Sequence, residues 1–86
     1  MEKTIHTDEY AALLVLLRET RRAAGLTQVE LAKKIGLSQS FVSKAEVGER
    51  RLDVIQLRAI CRVLGTTLPA FVTKLEERLT KRQRRK

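Results

Sequence analysis

Residues 28–46 read QVELAKKIGLSQSFVSKAE, and the reading of this stretch decides the fold. Thr27-Gln28-Val29-Glu30 fits a capping box, in which the threonine hydroxyl and the glutamate carboxylate each satisfy a free backbone N–H. A helix is therefore predicted from Thr27, carrying Leu31, Ala32 and Ile35 at helical spacing and ending at Gly36. Ser38 is a good N-cap for a second short helix that runs to about Glu46, before Gly48. Two short helices joined by so tight a turn must cross closely. Ala32 stands where the crossing admits only a small side chain, and Gly36 where the turn needs a positive φ. Leu31, Ile35, Leu37, Val42 and Ala45 are predicted to point inward and fix the angle between the two helices.

Three further helices are predicted around this pair, and no stretch alternates in the manner of a strand. The first spans about Asp8 to Ala24, with Tyr10, Leu13, Leu14, Leu17 and Ala24 on one face and Gly25 as its stop; Val15 and Leu16 fall off that face. The fourth opens on a second capping box, Asp53 with Gln56, and Leu52 and Leu57 are spaced for a hydrophobic staple. Leu57, Ile60 and Leu64 form its buried face, and Gly65 closes it. The fifth begins near Thr67, tolerates Pro69 in its first turn, and carries an apolar stripe of Leu68, Phe71, Val72, Leu75 and Leu79. The expected organisation is all-α: an N-terminal arm over residues 1–7, a five-helix domain over 8–79 and a basic tail over 80–86, expected to be disordered.

The chain has 86 residues, room for one domain, and its core must be built from Leu, Ile, Val and Ala because aromatics make up only 3%. Lys and Arg outnumber Asp and Glu by 18 to 10, a net charge of +8 that favours a polyanionic partner. Lys81, Arg82, Arg84, Arg85 and Lys86 supply five of those charges, leaving +3 on residues 1–80, so bulk charge alone says little about the folded part. Cys61 stands alone, which rules out an internal disulfide and points to a reducing compartment. The polar start, Met1 to Glu9, does not read as a secretory signal, and the longest apolar run, Tyr10 to Leu17, is too short to span a bilayer. A cytoplasmic protein with no membrane partner is expected.

The outer face of the third helix then becomes informative. Gln39, Ser40, Ser43 and Lys44 lie opposite Val42 and Ala45, and they are residue types that suit base edges. Gln pairs with the N6/N7 edge of adenine, and Lys with the O6/N7 edge of guanine. The positive end of the helix dipole at Ser38 favours a nearby phosphate. No nucleophile–base pair, phosphate-cradling glycine loop or paired carboxylate stands out, so neither catalysis nor a cofactor is expected. His6 and Cys61 lack partner ligands at metal-binding spacing, so no metal is expected, and Cys61 reads as a small buried hydrophobe.

The run Gly25-Leu26-Thr27-Gln28-Val29-Glu30-Leu31-Ala32, then Gly36-Leu37-Ser38-Gln39-Ser40, Val42-Ser43-Lys44 and Glu46-Val47-Gly48, resembles the Cro and phage-repressor family, the XRE-type helix-turn-helix proteins. The resemblance covers roughly residues 13–75. It implies a compact, lambda-repressor-like five-helix domain with its helix-turn-helix at helices 2 and 3. It also implies a homodimer that sets its third helices into the major groove of operator half-sites on double-stranded DNA. On the matching positions, Gln39, Ser40, Ser43 and Lys44 contact bases. Gln28, Ser38, Arg50 and Arg51 contact the backbone, with Gln28 also supporting Gln39, and Arg21 pairs with Glu46. Ala45 and Val47 depart from the family pattern: the first shrinks the core unless Phe41 fills it, and the second removes a phosphate donor.

The expected function is a sequence-specific transcriptional regulator, a repressor or autoregulatory controller. The competing reading is an antitoxin-type interaction module that masks a toxin partner and binds DNA secondarily. The end of helix five, around Leu79, is the expected dimer contact, and the basic tail is expected to make nonspecific DNA contacts.

Overall fold

The computed structural model describes residues 7–84, with side chains described through Lys81. They form α1 (Asp8–Ala23), α2 (Gln28–Ile35), α3 (Gln39–Val47), α4 (Val54–Val63) and α5 (Leu68–Arg84), with no strand among the described residues. His6 and the rest of the arm up to residue 6 lie outside the description, as do the side chains that would test the tail's role.

The helix starts follow the local sequence chemistry. Thr7 Oγ1 accepts from the Tyr10 N–H, Ser38 Oγ from the Phe41 N–H, and both expected capping boxes form, Thr27 with Glu30 and Asp53 with Gln56. Each satisfies backbone donors that a helix start otherwise leaves open. At the end of α2 the Leu37 N–H reaches back to the Ala32 carbonyl at 3.0 Å and the Gly36 N–H to Lys33 at 3.3 Å. This closure needs a left-handed residue, and Gly36 supplies it at φ +76°. Gly48 ends α3 in the same way at φ +89°, and a Cβ there would sit 3.2 Å from Leu14 Cδ1. Gly48→Ala therefore meets both backbone strain and a close side chain. It is expected to cost about 1–2 kcal/mol, read as a lower urea midpoint at unchanged m.

α2 packs on α3 and α4, while α1 lies against α3 and α5, and the chain turns by 104° between α4 and α5. The core draws on every helix, including Leu17, Leu31, Val42, Ala45, Ile60 and Phe71. Phe41 is buried in the same cluster as Ala45, filling space that the small alanine leaves. Cys61 is fully buried, and burial pushes its thiol above the usual cysteine range.

Four sequence expectations are corrected. Leu16, expected off the buried face, is only 3% exposed, because α1 is flanked by two helices and buries a broader stripe than one face. Ala24 is exposed, since it caps α1 rather than continuing its stripe. Leu37, expected to point inward, is 42% exposed: it is the residue that closes the α2 terminus, outside the helix pair. Val72 is exposed on the flank of the α5 stripe, whose centre is Phe71.

α5 also continues past Leu79, the expected end of the folded domain, to Arg84. Nothing after Pro69 breaks a helix, and straight-chain Lys, Arg and Gln are good helix formers whose cations suit a helix C-terminus. Along this helix Arg78 Nη2 bonds Glu19 Oε1 at 2.6 Å, an exposed tie between α5 and α1.

Candidate nucleic-acid interface

At 3.6 residues per turn, Gln39, Ser40, Ser43, Lys44 and Val47 fall on one side of α3. Gln39, Ser40 and Lys44 are exposed and Ser43 is half-buried, while Phe41, Val42, Ala45 and Glu46 face the core. Val47 stands within the outer face at 54% exposure. In the sequence it counts only as a lost phosphate donor, although its spacing of four from Ser43 already puts it on this surface. The Ser38 hydroxyl is committed to capping α3, at the end where the helix dipole is positive.

Arg50 and Arg51 lie in the loop between α3 and α4, and each rests on an aromatic ring. The Arg50 Cζ is 5.1 Å from the Phe41 ring centroid and the Arg51 Cζ 4.8 Å from that of Tyr10. A guanidinium held face-on to a ring keeps the N–H donors at its edge directed sideways, available to an anion. Tyr10 also accepts the Leu52 N–H at its hydroxyl, at 3.4 Å, which ties the loop to α1. These platforms escape sequence reasoning, because no local pattern announces a contact between residues some 42 apart in sequence.

Behind the surface lies a buried ion pair. Arg21 Nε donates to Glu46 Oε2 at 2.6 Å and Nη2 to Oε1 at 3.1 Å, while Nη1 binds the Leu26 carbonyl at 2.8 Å. Glu46 is 4% exposed. Arg18 adds a third cationic nitrogen 3.5 Å from Oε1, a neighbour that sequence reasoning does not supply. Burial alone would push the Glu46 carboxyl up, but the hydrogen bonds from Arg21 and Gln28 and the charges of Arg21 and Arg18 outweigh it, leaving the group below the ordinary glutamate range.

The network continues to the surface. Gln28 Nε2 donates to Glu46 Oε1 at 2.9 Å, and Gln39 Nε2 donates to Gln28 Oε1 at 3.3 Å. The first residue of α3 is thus linked to the core through the first residue of α2. Among the described residues no cluster of His, Cys, Asp and Glu could hold a metal, and no single helix is long and apolar enough to cross a membrane.

A short helix with a polar outer face, set against a second helix across a glycine turn and flanked by seated arginines, defines a DNA-binding helix-turn-helix protein. The family model described as "Helix-turn-helix" matches residues 17–71. The chain belongs to this helix-turn-helix family, of the XRE type, whose members are DNA-binding transcription regulators rather than enzymes. It is similar to an XRE-family-like protein of Pseudomonas syringae pv. tomato, with 57% identity and a TM-score of 0.80 over 87% of this chain and 92% of that one. It is also similar to the HTH-type transcriptional regulator y4dJ of Sinorhizobium fredii, 39% identical over 66% of this chain and 74% of the relative. A point mutant of the restriction-modification controller protein C.Esp1396I matches at 25% identity with a TM-score of 0.78, over 87% and 95% of the two chains.

Proposed function

We propose that this regulator is a homodimeric repressor or autoregulatory controller that reads operator half-sites with α3 in the major groove. The observation that carries this reading is the outer face of α3, where exposed Gln39, Ser40 and Lys44 stand beside Arg50 and Arg51 on their aromatic rings. Gln39, Ser40, Ser43 and Lys44 discriminate bases. Arg50, Arg51, Gln28 and the α3 terminus at Ser38 engage the backbone, Gln28 with whatever donor capacity Glu46 leaves it. Phosphate contacts set register and supply most of the affinity, and base contacts select sequence. The dimer contact is the end of α5, where Leu79 is only half-buried and Val72 nearby is exposed. Its two-fold axis would set the two α3 helices about one turn of DNA apart. With the sensing left to this one small domain, occupancy follows protein concentration and turnover.

Two substitutions separate the roles. Gln39→Ala is expected to lose about 1–3 kcal/mol on the cognate site and to relax preference at one base pair. Arg51→Ala is expected to weaken cognate and random DNA alike, by similar factors. Competition titrations against single-base variants of the site check both. Equal loss on all sequences for Gln39→Ala would remove it from base readout.

A further inference from the structure

We propose that the buried Arg21–Glu46 pair acts through Gln28 to set the hydrogen-bond polarity of Gln39, and so makes Gln39 a reader of adenine rather than guanine. The inference rests on the reading of Gln39 as a base contact and goes on to say which base it takes and why. A primary amide is ambiguous by itself: it can turn its oxygen or its NH2 either way at little cost. An ionised carboxylate is not ambiguous, because it only accepts. Glu46 Oε1 already faces Arg21 Nη2 at 3.1 Å and Arg18 at 3.5 Å, so it takes the NH2 of Gln28, at 2.9 Å.

That choice leaves the Gln28 oxygen pointing at Gln39, at 3.3 Å, and Gln39 must answer with an N–H. What Gln39 then offers outward is its second N–H beside its carbonyl oxygen. This donor–acceptor pair matches the N7 acceptor and N6 donor of adenine, whereas guanine sets its O6 acceptor against the carbonyl. Arg21 and Glu46 touch no base. They are positioning residues, and they act along a chain of hydrogen-bonded side chains from the core to the groove.

The test is the adenine-to-guanine affinity ratio at the base pair that Gln39→Ala identifies, measured by competition with the full-length protein. Gln28→Met keeps length but cannot hydrogen-bond at its end, so Gln39 is free to turn; the ratio is expected to fall about tenfold toward unity. Gln28→Lys can only donate, to Glu46 and to Gln39, so Gln39 must turn its oxygen inward and present NH2; the preference is expected to move to guanine. Ratios measured on one protein cancel the added charge of the lysine. Glu46→Gln, assayed where circular dichroism shows it folded, should behave as Gln28→Met does. If Gln39→Ala flattens the ratio while both Gln28 variants leave it at the wild-type value, the polarity chain is wrong and the base contact stands. If Gln39→Ala leaves every base preference intact, the base contact itself is wrong and this inference falls with it.

Discussion

Replacing Arg21 with leucine is expected to lower the stability of the domain by about 3–5 kcal/mol, enough to leave much of a small domain unfolded. The size comes from what stays behind. Glu46 is held in the core by two hydrogen bonds from Arg21, and without them a buried carboxylate keeps only Gln28 and the more distant Arg18. The pair is not for that reason a large net stabiliser, because taking two charges out of water offsets most of their attraction. Breaking it is costly, and its directional bonds hold α1 to the end of α3.

The pH dependence distinguishes loss of the charge pair from simple loss of packing. In the wild-type protein the Glu46 carboxyl sits below its ordinary range, so it binds a proton less readily folded than unfolded. Its contribution is full above the unfolded value of about 4.3 and is lost as pH falls through the lower folded value. In Arg21→Leu the burial of Glu46 is opposed less, the folded carboxyl moves up, and protonation relieves it. The stability gap between the two proteins is therefore expected to narrow from about pH 6 to about pH 3, as read by urea denaturation at each pH. A gap that stayed constant would assign the loss to packing rather than to charge.

Salt is expected to have an effect of comparable size on function. If the dimer neutralises roughly six to eight phosphates, its affinity for the operator should fall about a thousandfold between roughly 50 and 200 mM salt. Random DNA should show nearly the same slope, because backbone contacts carry it and base contacts do not. Arg51→Ala is expected to reduce the slope by about one phosphate per subunit, since its guanidinium rests on the Tyr10 ring with its N–H donors at the edge. Gln39→Ala should leave the slope alone. Titrations by fluorescence anisotropy across a series of salt concentrations check all three, and a flat response would contradict a backbone-driven complex.

What can be read from the sequence is whatever is encoded within a turn or two. Thr27 with Glu30 and Asp53 with Gln56 form their capping boxes because each partner is three residues away, and Gly36 takes its left-handed φ because the turn is local. The helix starts and the outward residues of α3 follow from such signals. The side of α1 that Leu16 occupies does not, since it depends on α3 and α5 lying on both flanks. Leu37 misleads for a related reason: an apolar residue just past a helix can close the terminus instead of entering the core. α5 outlasts its apolar stripe because backbone propensity and dipole complementarity carry a helix past the last residue that needs burial.

For the interface the division is similar. Residue types and spacing single out Gln39, Ser40, Ser43 and Lys44, and the Arg21–Glu46 pair follows from family resemblance. The relay from Glu46 through Gln28 to Gln39, and the ring seats of Arg50 and Arg51, join elements distant in the chain and need three dimensions. Val47 is placed on the outer face by periodicity alone, and only its apolar character hides it from a search for polar readers. It marks a position on that face suited to a thymine methyl rather than to a phosphate.

The central claim, that α3 reads sequence from the major groove as one half of a two-fold pair, is tested most directly by selecting bound sites from random duplex DNA. The mass of the complex is then measured on the winning site. The expected result is an inverted repeat whose half-sites are centred about 10 base pairs apart, bound by two chains. Recovery of no common sequence, or of a single half-site bound by one chain, would contradict it.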